Sequence, residues 1–197
     1  MSAEQNIKAK ALKCIDEVYP SAANLKDSYF PVDAFLDEAV RWVIDIMPAH
    51  ILTKREQIKL TGGKIEDGVV TWANTTIGDA RIVYFKMGDW ARPADIIYED
   101  SPIYRQQKNS VLRGTPSRPI VVRMMDGNTI EAYTSNSSTP QDSMVYIVPY
   151  DAANIPERAE DICAWKLAEV VLLSMGDIQN AASCTARVNE LLEQLAL

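Results

Sequence analysis

NIPERAEDICAWKLAEVVLLSM, residues 154–175, is the stretch around which this 197-residue chain is organised. Pro156 suits a first helical turn, the acidic Glu157, Glu160 and Asp161 sit near the positive end of the helix dipole, and Gly176 can close the helix. Beyond Asp161 the only charges before Gly176 are Lys166 and Glu169. Ile162, Cys163, Leu167, Val170, Val171, Leu172, Leu173 and Met175 spread over more than one stripe of a helical wheel, so the helix needs cover on several sides. Ile162, Leu167, Val170 and Val171 are its expected core positions.

The cover is written on both sides of it. Residues 4–19 place Ile7, Ala11, Cys14, Ile15 and Val18 at helical spacing, with Ser2 and Gln5 as a capping box and Pro20 as terminator. After a connecting loop expected at 20–31, residues 32–48 repeat Val32, Phe35, Leu36, Ala39, Val40, Val43, Ile44 and Met47 at three- and four-residue steps, with acids on the other face. Asp177 is a plausible N-cap for a last helix carrying Ala181, Cys184, Val188, Leu191, Leu192 and Leu195 on one side.

The other face of residues 32–48 carries Arg41 as well as the acids Asp33, Asp37, Glu38 and Asp45. Between these helices the period changes. GVVTWAN, ARIVYFKM, RPIVVRMM, TIEAYTS and SMVYIVPY are rich in β-branched and aromatic residues and alternate with turn signals at Gly62-Gly63, Asp67-Gly68, Gly88-Asp89 and Asp126-Gly127. The clearest hairpin runs from Pro119 to Thr134, with Asp126-Gly127 or Gly127-Asn128 as a two-residue turn. SNSSTPQDS at 135–143 reads as a mobile surface loop. The reading is therefore an α+β single unit: N-terminal helices in 1–50, an antiparallel β-rich insert in 51–150, and C-terminal helices in 151–197.

The insert also contains GDWARPADIIYEDSPIYRQQKNSVLRGTPSRP, residues 88–119, whose length without a clear period predicts an extended arm or functional loop. The net charge of -7 is uneven around it: residues 1–100 carry 12 Lys/Arg and 16 Asp/Glu, 101–123 carry 5 and 0, and 124–197 carry 3 and 11. Arg105, Lys108, Arg113, Arg118 and Arg123 form the basic stretch, with Tyr104 beside it and Trp90 upstream. One reading is a solvated face; the sharper one is a surface meeting DNA or the acidic body of a neighbouring copy. Global acidity disfavours a general nucleic-acid binder.

Reactive chemistry is sparse. Cys14, Cys163 and Cys184 are widely separated in apolar helical contexts, which predicts buried thiols, and the sole histidine, His50, stands at a helix end. LTGGKIEDG fails as a phosphate loop because Ile58 replaces its opening glycine and Ile65 the Ser or Thr after its lysine, leaving a hairpin turn. Asp95, Glu99 and Asp100 cluster without supporting Lys, His or Asn roles, so a carboxylate-dependent metal enzyme is the weaker alternative. The expectation is a protein with no catalytic residues, metal or cofactor of its own. No run approaches a membrane span of roughly 18 apolar residues, and the start lacks the apolar core of a signal peptide, so synthesis in a cytoplasm is expected.

The order of DAFLDEAVRWVIDIMPAHIL, a β-rich insert, YIVPYDAANIPERAEDICAWKLAEVVLLSMGD and a terminal helix resembles the head-to-tail connector, or adaptor, proteins of tailed bacteriophages. It is most similar to the portal-proximal ring proteins of crAss-like phages, although the β-rich insert departs from the mostly helical simple adaptors. The resemblance implies a non-enzymatic virion protein forming a dodecameric ring, in contact with the portal and other collar or tail proteins. Such a ring extends the DNA channel, with sequence-independent DNA contact and no membrane. The alternative class is a nucleic-acid-binding or regulatory module.

Overall fold

A computed structural model describes residues 2–19, 29–52, 55–73, 75, 77–133 and 143–196. The fold is α+β. The helices are α1 (Ala3–Val18), α2 (Val32–Ile46), α3 (Pro102–Gln107), α4 (Glu157–Ser174) and α5 (Ile178–Ala196). The strands are β1 (Glu56–Ile58), β2 (Lys64–Glu66), β3 (Val69–Trp72), β4 (Ala80–Met87), β5 (Asp95–Tyr98), β6 (Ile120–Arg123), β7 (Ile130–Tyr133) and β8 (Ser143–Pro149). The chain divides into two compact units, a helical one of Met1–Thr53 with Tyr150–Leu197 and a sheet unit of Lys54–Pro149. Most of the two expected loops, residues 20–28 and 135–142, lies outside the described residues, as does Pro20.

In the helical unit α4 packs against α1, α2 and α5. Ile162, Leu167, Val170 and Val171 are all buried, along with Ala159, Ala164 and Ala168, whose small side chains let neighbouring helices approach. Each fully buried Leu or Val contributes about 1.5–3 kcal/mol of transfer free energy. Burial on several sides requires the charges of α4 to be paired. Glu160 accepts from Asn6 and pairs with Lys10 at 3.0 Å, while Lys166 pairs with Glu169 at 2.9 Å and lies 4.7 Å over the Trp42 ring. The helix stops because Gly176 has a φ of 80°: its N–H donates to Leu173 O and that of Asp177 to Leu172 O, the paired bonds of a Schellman motif. Asp177 then caps α5 by accepting from Asn180 N. At the other end of the chain, Ser2 and Gln5 cap α1 reciprocally.

The sheet unit holds a three-stranded sheet, β1-β8-β4, and a five-stranded one, β2-β3-β7-β6-β5. Phe85, Met87, Val145 and Ile147 of the first share one core with Val70, Trp72, Val121, Ile130 and Ala132 of the second. All strand pairs are antiparallel except β5 with β6. The two-residue turn with both φ values positive occurs at Asp67-Gly68, between β2 and β3. The β6–β7 hairpin expected to carry such a turn has a longer loop, in which Gly127 alone has positive φ and the Asp126 carboxylate accepts from the N–H groups of Asn128 and Thr129. Gly62-Gly63 is a passage from β1 to β2, strands of different sheets, rather than a hairpin turn. A Cβ on Gly63 would come within 2.6 Å of Trp72 Nε1, so the position is closed to side chains.

Candidate functional site

The five-stranded sheet has two apolar faces. One belongs to the shared core; the other presents Val69, Ile97, Ile120, Val122 and Tyr133. Parallel neighbours need a crossover connection, and that between β5 and β6 is the segment 99–119, which folds back over this second face. The expected outward arm is thus a covering layer. Ser101 caps α3 by accepting from Ile103 N, and Pro102 fills its first turn. Tyr104, buried, packs against Val122 and Tyr133.

Gln107 fixes the rest of the layer. It is only 1% exposed; its amide nitrogen donates to Ile103 O at 3.1 Å, and its side-chain oxygen accepts from Gly114 N at 2.8 Å. Gly114 is needed because a Cβ there would lie 3.0 Å from Arg118 O and 3.2 Å from Ile120 N. Thr115 and Arg118 close a tight turn with reciprocal backbone bonds, and Ala91 N donates to Pro116 O. Under this layer Tyr133 donates to Glu131 at 2.6 Å; burial, then that bond, pushes the phenol above its usual range.

Between α3, β5 and the 108–118 loop lies a cleft of about 430 Å³ whose lining includes Ile97, Ile103, Val111, Leu112, Arg113 and Arg118. Its outer lip is apolar and wet: Val111 is 86% exposed, Leu112 60% and Ile103 43%. Arg105, Lys108 and Arg118 are exposed and make no ion pair among the described residues. Lys108 instead lies 4.9 Å from the Tyr104 ring centroid.

The other sequence candidates are used internally. Trp90 is 2% exposed and packs on Phe85 in the shared core, so it is not an outward-facing residue, and neither is buried Tyr104. Arg123, 8% exposed, donates to the carbonyls of Ala80, Gly78 and Gly127, tying the start of β4 to the β6–β7 loop. Arg113 is half-buried, donating to Asp67 O and Gln107 O. Of the seven assembly or DNA-facing candidates, then, Arg105, Lys108 and Arg118 share the free surface. The apolar lip was missed, though VL stood out within the polar run QQKNSVLRGTPS.

The three clustered carboxylates are not gathered on one point. Asp95 pairs with Arg92 at 2.7 Å, Glu99 accepts from Met125 N, and Asp100 is exposed in the turn before α3. Among the described residues no group of three or more His, Cys, Asp or Glu is placed to hold a metal ion. The three cysteines are buried, and desolvation pushes each thiol up to about 12. Among the described residues no helix is long and apolar enough to cross a membrane.

Charge divides with the fold. The helical unit carries 8 Lys/Arg and 16 Asp/Glu, the sheet unit 12 and 11, so the net negative charge resides on the helices. No protein-family model matches the chain, and no curated protein matches it.

Proposed function

We propose that this protein is a non-enzymatic structural subunit of a tailed-phage virion. It forms a ring at the portal vertex that links head to tail and extends the DNA channel. The observation that carries this reading is the pairing, on one chain, of an acidic helical unit with a sheet unit whose exposed lip joins apolar Val111 and Leu112 to the exposed cations Arg105, Lys108 and Arg118. Unlike patches on one molecule favour head-to-tail association, the contact that closes into rings. The likeness of the flanking helices to connector proteins supplies the location. A dodecamer is the copy number that likeness implies.

The test is native mass measurement and negative-stain electron microscopy of the purified protein, alone and with a candidate portal protein. Rings, or a collar on the portal, are expected. A protein that stays monomeric and leaves the portal bare at micromolar concentrations would refute the reading. Nuclease, hydrolase and nucleotide-turnover assays should be blank, and turnover abolished by Asp95→Asn would replace it with an enzyme.

A further inference from the structure

The two kinds of group on the crossover surface need different things from an occupant. Arg105, Lys108 and Arg118 are satisfied by any anion, but Val111 and Leu112 gain nothing from phosphates and need apolar surface to cover them. A surface that is both acidic and apolar answers both needs.

The helical unit of the same chain offers such a surface on α2. Its buried stripe faces the helical core, and Asp33, Asp37, Glu38 and Asp45 are exposed on the other side together with Arg41, whose guanidinium lies 4.4 Å over the Tyr150 ring. Asp33 is engaged by Lys8 and Asp45 by the Tyr150 hydroxyl, whereas Asp37 and Glu38 make no ion pair among the described residues. Two large side chains bracket these acids: Tyr29, 56% exposed, just before the helix, and Ile46, 38% exposed, at its end.

Resting on the ring reading, we propose that the crossover surface of one copy docks on the outward face of α2 of the next copy. Arg105 and Lys108 meet Asp37 and Glu38, and Val111 and Leu112 are covered by that helix. The two patches differ and lie on different units, so the contact is heterologous and leaves one of each patch free at every step until the ring closes.

Two charge reversals test it by mixing. Arg105→Glu with Lys108→Glu makes the crossover acidic; Asp37→Lys with Glu38→Lys makes α2 basic. Each variant alone juxtaposes like charges and should associate on the order of a hundredfold more weakly than the unmodified protein in sedimentation. Mixed in equal amounts, every contact again joins opposite charges, and assembly should return. Val111→Ser with Leu112→Ser should weaken assembly without changing charge.

Circular dichroism confirms that each variant is folded, and all substituted side chains are exposed. Either reversed variant assembling alone as tightly as the unmodified protein would overturn the proposed contact while leaving the ring reading intact. So would a mixture that stays dispersed. Intact assembly with lost DNA retention in the Arg105→Glu, Lys108→Glu variant would assign the surface to nucleic acid. An unmodified protein that assembles neither alone nor on the portal would overturn both readings.

Discussion

Helix α4 and the crossover 99–119 both cover apolar surface, but α4 has helices on several sides and the crossover has a sheet on one. The difference appears in what each must do with its charges. Glu160, Lys166 and Glu169 of α4 are paired inside the helical unit, whereas Arg105, Lys108 and Arg118 of the crossover are exposed and make no ion pair among the described residues. A layer packed on one face leaves the other open, whereas α4 is open only at its ends and along a narrow strip, where Leu173 and Met175 are exposed.

The sharpest way to break this contrast is Leu167→Asp. Leu167 is fully buried, and an unpaired carboxylate there should cost about 4 kcal/mol or more, enough to unfold a marginal helical unit. A thermal melt matching the unmodified protein would show that α4 is not its core.

Alkaline pH should separate the two units next. The thiols of Cys14, Cys163 and Cys184, all in the helical unit, lie at about 12 when folded and near 8.5 when unfolded. Above roughly pH 9 the unfolded state has lost protons that the folded state keeps, so stability falls as pH rises towards 12. The sheet unit has no cysteine; its raised group, Tyr133, has an unfolded value near 10, so its decline begins about one and a half pH units later. Chemical denaturation from about pH 8 to 11 reads this, and a helical unit equally stable throughout would contradict it.

Arg123→Met should cost about 2–3 kcal/mol, because three backbone carbonyls lose a charged donor. The loss should appear in urea unfolding of the sheet unit and spare the helices. Gln107→Ala has the smallest effect, about 1–2 kcal/mol: Gly114 N loses its acceptor and the covering layer loosens. Faster amide exchange confined to the crossover would sharpen the contrast with α4; exchange unchanged there would remove Gln107 as its anchor.

The helices were legible because their signals are local. Ser2 with Gln5, Asp177 and Gly176 each act within a turn, and the three-and-four spacing of α2 names its buried face without knowledge of the partner. The short strands β1, β2 and β5 were not. EQI and KIE expose most of their side chains and carry no alternating apolar pattern, and β5 is defined by pairing with a strand more than twenty residues later. Missing that parallel pair made the crossover look like an arm, since a long segment has no visible purpose until the strands it joins are known. The same blindness put Arg123 and Trp90 among surface candidates. Charge and aromaticity are visible in a sequence, but the carbonyl cage around Arg123 is assembled from residues 78, 80 and 127.

The pairing of β1 with β8 has a kinetic side. Glu56 lies opposite Ile147, so the sheet unit takes in the chain and returns it on adjacent strands. Before that ladder forms, joining α2 to α4 means closing a loop that spans the whole insert. Afterwards only the short stretches flanking the ladder separate them. The saving in closure entropy is about 1.5 kcal/mol, which makes the helical unit assemble faster once the sheet unit has folded. An insert built this way acts as a tether that shortens itself when its end strands pair.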